Sequence, residues 1–105
     1  MSEHAVIIQI ALGEDHFGSA EAREVVRVLE REIRAVVDGS GLGEFDGDEF
    51  GGGEAVLYLY GPDADKLYAA VEPALQALPL RPVQVTRRYG DAGDPAALER
   101  RIQLE

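Results

Sequence analysis

Cysteine is missing from this 105-residue chain. Its absence excludes a disulfide framework, a thiolate metal site and thiol catalysis, and it permits a reducing compartment. No apolar run approaches the roughly 18 residues that a membrane span needs. The start, Met1-Ser2-Glu3-His4, lacks the basic stretch of a secretory leader. A soluble, cytoplasmic chain without a membrane partner is the expectation. Basic residues are also scarce, 10 against 20 acids, for a net charge of −10. Nucleic-acid binding draws on lysine and arginine to release counterions, so this field opposes a phosphate backbone and no nucleic-acid partner is expected. The same field favours solubility and steers a basic protein or a cation toward the surface.

What is present is ordinary for a globular chain: 46% of residues are apolar, enough for one core. A single domain spanning residues 1–105 is the natural reading. The most informative segment runs from Gly43-Glu44-Phe45-Asp46-Gly47-Asp48-Glu49-Phe50 through Gly51-Gly52-Gly53 into Glu54-Ala55-Val56-Leu57-Tyr58-Leu59-Tyr60. A weak, acidic strand turns back into a strongly apolar one. Edge strands are guarded by charge and irregularity, so this hairpin reads as the margin of a small sheet, with a bulge at Gly47.

The remaining elements follow from periodicity. Ala5-Val6-Ile7-Ile8-Gln9-Ile10-Ala11-Leu12 reads as a first strand covered on one face and partly wet on the other. Ser19 stands where an N-cap belongs, and Ala22, Val26, Leu29, Ile33, Val36 and Val37 stripe a helix over about Ala20–Val37. Its other side carries Arg23, Glu24, Arg27, Glu30, Arg31 and Arg34, a solvated face with a Glu30–Arg34 pair four residues apart. Asp63 caps a second helix whose inner face is Leu67, Ala70, Val71, Ala74, Leu75 and Leu78. Pro73 lacks an amide donor inside that pattern, so a kink or an early end is expected there. Val83–Tyr89 alternates as a fourth strand. The tail turns at Asp91–Pro95, then forms either a short helix over Ala96–Arg101 or a last strand near Arg101–Leu104.

The order is β-α-β-β-α-β plus a tail. It predicts an α+β, ferredoxin-like βαββαβ sandwich: a four-stranded antiparallel sheet of order 4-1-3-2, two helices on one face, and a short C-terminal extension. The blocks Asp15-His16-Phe17-Gly18-Ser19, Gly43–Glu49 and Leu57-Tyr58-Leu59-Tyr60-Gly61-Pro62-Asp63-Ala64-Asp65 resemble those of small uncharacterised bacterial proteins with this domain shape, over roughly Ile7 to Gly90. That resemblance implies a fold and no activity.

Strand parity sets Val6, Ile8, Ile10, Leu57, Leu59, Val83 and Val85 toward the helices. The opposite face then displays Ile7, Gln9, Ala11, Val56, Tyr58, Tyr60, Gln84, Thr86 and Arg88. Tyrosine and arginine anchor interfaces because they bury area while keeping a polar handle. Gln9, Tyr58, Tyr60, Thr86 and Arg88 are therefore the candidate protein-binding residues of a non-enzymatic interaction or regulatory domain. It would bind a basic protein or a second copy of itself, without a cofactor. The alternative is a metal-dependent or acid–base enzyme at one end of the sheet. There Asp15 and His16 would approach Asp48 and Glu49, since carboxylate oxygens and imidazole suit divalent cations. No EF-hand or HExxH spacing supports it, and His4 is read as an exposed bystander.

Overall fold

The elements follow in the order β1 (His4–Ala11), α1 (Ala20–Val37), β2 (Glu44–Gly51), β3 (Glu54–Gly61), α2 (Ala64–Ala77), β4 (Val83–Arg88) and β5 (Glu99–Leu104). They are seen in a computed structural model that describes residues 3–13, 18–91 and 93–104. All five strands join one antiparallel sheet ordered β2-β3-β1-β4-β5. Ser19 caps α1 by accepting from the Ala22 amide at 3.0 Å, and Asp63 caps α2 from the Lys66 amide at 3.1 Å. Each cap satisfies an amide that a helix start leaves unpaired, worth about 1 kcal/mol. At the other end of α2 the Arg81 guanidinium donates to the Leu75 and Gln76 carbonyls at 3.2 and 3.0 Å, closing acceptors that the last turn leaves free.

The four-stranded ferredoxin-like sheet of order 4-1-3-2 is overturned by this topology. The fold is α+β with two helices and five antiparallel strands, because the tail is no loose extension. It pairs with β4 from Val83↔Leu104 to Arg88↔Glu99. The physical cause is the outer edge of β4, whose row of amides and carbonyls needs partners. Arg100, Ile102 and Leu104 fall opposite Arg87, Val85 and Val83, so the parity also carries Ile102 and Leu104 onto the core side. Of the two readings left open for the tail, the strand near Arg101–Leu104 is the one the chain adopts, begun two residues earlier at Glu99.

Both helices lie against one side of the sheet. Val6, Ile8 and Ile10 of β1, Leu57 and Leu59 of β3, and Val83 and Val85 of β4 meet Val26, Leu29 and Ile33 of α1 and Leu67, Val71 and Leu75 of α2. α2 lies over β1, β3 and β4, and α1 reaches β2. Two assignments along α1 change. Val36, expected in the apolar stripe, is 40% exposed, whereas Glu30, expected in water, is buried. The cause is the packing of α1 on the β2 side, which turns Glu30 toward Asp48. Pro73 does not end α2, which continues to Ala77, and its ring stands in solvent. The bulge of β2 lies between Phe45 and Gly47. Where β2 begins beside the end of β3, Gly43 holds φ +153°, and a Cβ there would collide with the Tyr60 carbonyl. Among the described residues no helix is long and apolar enough to cross a membrane.

Two substitutions check this packing by urea denaturation. Leu57→Ala, at a site with no exposure, will cost about 2–5 kcal/mol through lost burial and a residual cavity. Pro73→Ala will raise stability by about 1–3 kcal/mol, because it restores a helical amide on an exposed position.

Candidate interaction surface

The side of the sheet away from the helices is built in rows fixed by strand register. The first row reads Glu44, Tyr60, Ala5, Arg88, Glu99 across β2, β3, β1, β4 and β5. The second reads Gly47, Tyr58, Ile7, Thr86, Arg101, and the third Glu49, Val56, Gln9, Gln84, Gln103. Gln9, Tyr58, Tyr60, Thr86 and Arg88 thus share one face. Among the described residues no helix packs on that side. β5 extends the sheet sideways, and its connection from β4 reaches back only to the Arg88 corner of the face. Sequence reasoning missed Glu99, Arg101 and Gln103 of β5. The polar–apolar alternation of Arg101-Ile102-Gln103-Leu104 was the signal that could have found them.

The residues of this face differ in what they are free to do. Tyr58 and Tyr60 are half-buried. Burial pushes the Tyr58 phenol up, and the charge of Glu49, its hydrogen bond to that carboxylate, and neighbouring Tyr60 and Glu54 add to the rise. Tyr58 therefore stays a neutral donor at physiological pH. Thr86 is buried, 7% exposed, and offers little contact. Arg88 is committed within the chain: it donates to Glu99 at 2.9 Å, to the Asp91 carbonyl at 3.4 Å and to the Asp94 carbonyl. Its work is to hold the β4–β5 connection. Arg101, with a side chain 65% exposed, lies 3.8 Å from Glu99 in a loose, solvated ion pair. The face is charge-polarised as a result. Glu44, Glu49 and Glu54 lie at the β2–β3 side, apolar and phenolic groups occupy the centre, and Arg101 stands at the β5 side beside Glu99, whose charge Arg88 meets.

The alternative site is divided by the pleat. Asp48 stands opposite Leu57 on the helix side, and Glu49 opposite Val56 on the open side. Consecutive strand residues point to opposite faces, so one metal ion could not take both carboxylates without distorting β2. Asp15 and His16 lie outside the described residues. Among the described residues no group of three or more His, Asp or Glu side chains is placed to hold a metal ion.

Two polar clusters on the helix side bind elements together. Glu30 of α1 lies against Asp48 of β2, and its carboxyl is raised from 4.5 to about 7, first by burial and then by the hydrogen bond to Asp48 and that residue's charge. Arg34 and Arg27 oppose the rise, and Arg34 also sits 4.5 Å over the Phe45 ring. At the far end, Asp65 of α2 accepts from Arg87 at 3.0 Å and from Tyr89 at 2.5 Å. The Tyr89 hydrogen bond, then the Arg87 charge, hold the Asp65 carboxyl below its usual range despite some desolvation. Asp65, Arg87, Tyr89, Leu98 and Arg100 line an open cleft of about 450 Å³. His4 is no bystander: its Nδ1 accepts from the Ala64 amide at 3.1 Å, and its ring meets Tyr89 edge-on at 5.6 Å.

Comparison with protein-family models, with curated proteins and with solved structures returned no match. The resemblance carried by the sequence blocks gains no matched relative.

The Glu30–Asp48 contact sets a pH dependence. Between about pH 4.5 and 7 the folded state keeps a proton that the unfolded chain has released, so this group's contribution to stability falls as pH rises through that window and levels off above it. Glu30→Gln, which retains a donor toward Asp48, will match the parent near pH 4 and exceed it by about 1–3 kcal/mol at pH 8 in paired urea titrations.

Proposed function

We propose that this chain is a non-enzymatic protein-interaction domain whose working surface is the open side of its sheet, in the reducing, cytoplasmic setting that a cysteine-free chain permits. One observation carries the reading. Ile7, Val56, Tyr58 and Tyr60 stand together on a sheet face that no helix covers among the described residues, away from the corner where the β4–β5 connection holds Arg88. Two half-buried phenols beside apolar side chains, rimmed by Glu44, Glu49 and Arg101, have the make-up of an interface patch: an amphipathic centre within a charged margin. Ile7, Val56, Tyr58 and Tyr60 are each half-buried, so the centre of the face is flat and uncharged between its charged margins. The division of Asp48 from Glu49, and the commitment of Asp65, Arg87 and Tyr89 to one another, favour binding over chemistry.

Tyr58→Asp, which sets a charge at the centre of the patch, will abolish capture of whatever macromolecule the immobilised domain retains from the cell that makes it. Ala69→Asp, which adds the same charge on the exposed side of α2, will leave that capture intact. Equal retention by both variants, with circular dichroism showing both folded, overturns the reading.

A further inference from the structure

Resting on that reading of the open face, we propose that its occupant is a second copy of this chain. The two sheets stack face to face about a two-fold axis parallel to the strands, with Arg101 of each copy seated over Gly47 of the other, between Glu44 and Glu49.

Three observations carry this. The first is charge placement. β1 is the middle strand of the sheet, so a two-fold axis along it lays β3 over β4 of the other copy and β2 over β5. In the second row, Ile7 then meets Ile7, Tyr58 meets Thr86, and Arg101 meets Gly47, whose neighbours on the same face are Glu44 and Glu49. A two-fold axis across the strands would instead stack β2 on β2 and set those carboxylates against their own copies. Like charges brought together at an interface are costly. The first axis also brings acids together, Glu44 over Glu99 in the first row, but there Arg88 already donates to Glu99 at 2.9 Å. The polarised face selects the first axis.

The second observation is Gly47 itself. It is the glycine inside β2 away from the turn, yet it does not hold a left-handed φ. No atom of the described residues outside its chain neighbours lies within 4 Å of the place its Cβ would take. Glycine in a strand interior accompanies a bulge, and here it follows the one between Phe45 and Gly47. It also leaves the strand bare at that point. A bare spot between two carboxylates is what an incoming guanidinium requires, since a planar fork can then meet carboxylate oxygens on both sides.

The third is area. Five strands about 4.8 Å apart, each 6–8 residues long at about 3.3 Å per residue, present about 500 Å² per copy. Stacking buries about 1,000 Å² in total, which reaches the lower bound of a specific interface. Aligned sheets at about 10 Å separation are the ordinary geometry of such a contact. Each copy carries −10, so the copies repel at low ionic strength. Near 0.15 M salt, charges farther apart than about 8 Å are screened while the close pairs remain.

Sedimentation equilibrium at about 100 µM protein and about 0.15 M salt tests this. The parent chain will be a dimer. Arg101→Glu and Glu49→Lys will each weaken self-association about tenfold or more, because each sets like charges together twice per dimer. Mixing the two single variants will restore the dimer, since both cross-contacts then pair opposite charges. That rescue also shows that both variants fold. Gly47→Val will weaken the dimer while leaving monomer stability unchanged or raised, as a β-branched residue suits a strand with open space above it. A parent chain that stays monomeric overturns the second copy as occupant, while the Tyr58 capture experiment decides the face separately. A dimer insensitive to both charge variants, or variants that do not rescue on mixing, overturns the proposed geometry.

Discussion

The burial of Val6, Ile8 and Ile10 on one side of β1, each without solvent exposure, constrains the rest of the structure. Alternation along a strand forces Ile7, Gln9 and Ala11 onto the opposite side once those three are buried. β1 pairs with β3 on one flank and β4 on the other. The same division is therefore imposed on Leu57 against Tyr58 and on Val85 against Thr86. A register slip of one residue would exchange the faces and set three large aliphatic side chains in water, which is why the register is strongly specified. The helices contribute their stripes to this one side, and every surface discussed above is a consequence.

The sheet margins are managed differently at its two ends. β2 is protected by acids, a bulge and glycine, devices that discourage indiscriminate pairing of a free edge. β5 is protected by charge, with Glu99, Arg100 and Arg101 in its first half. These devices leave the flat side as the broad open surface. Polar contacts on the helix side serve cohesion instead: Glu30 with Asp48 couples α1 to the weak strand, and Asp65 with Arg87 and Tyr89 couples α2 to the outer part of the sheet. Arg87 pays in part for this with a buried Nε that has no hydrogen-bond partner among the described residues, its guanidinium lying 5.4 Å over the Tyr68 ring.

Much of this could be read from residues in order. The strand of β-branched residues, the cap at Ser19, the cap at Asp63 and the glycine turn are local effects, governed by side-chain shape, backbone freedom and nearby amides. Strand parity was legible for the same reason, so Gln9, Tyr58, Tyr60, Thr86 and Arg88 could be grouped on one face before any coordinates. Their individual fates could not. Parity sets Arg88 on the docking face, but the connection between β4 and β5 curls back to take its donors, a contact that depends on how that loop closes. Pro73 predicts a kink or an early end, yet packing of Leu67, Val71 and Leu75 carries α2 past it to Ala77.

The chain by itself determined where strands and helices form and which side of each strand is apolar, because those properties depend on neighbours a few residues away. Tertiary structure alone decided between helix and strand for the charged tail, and decided that Glu30 is buried against Asp48 and that His4 seats the start of α2. Each depends on groups brought together from distant parts of the sequence: the unpaired edge of β4, the lie of α1 against β2, and the end of β1 beside the first turn of α2.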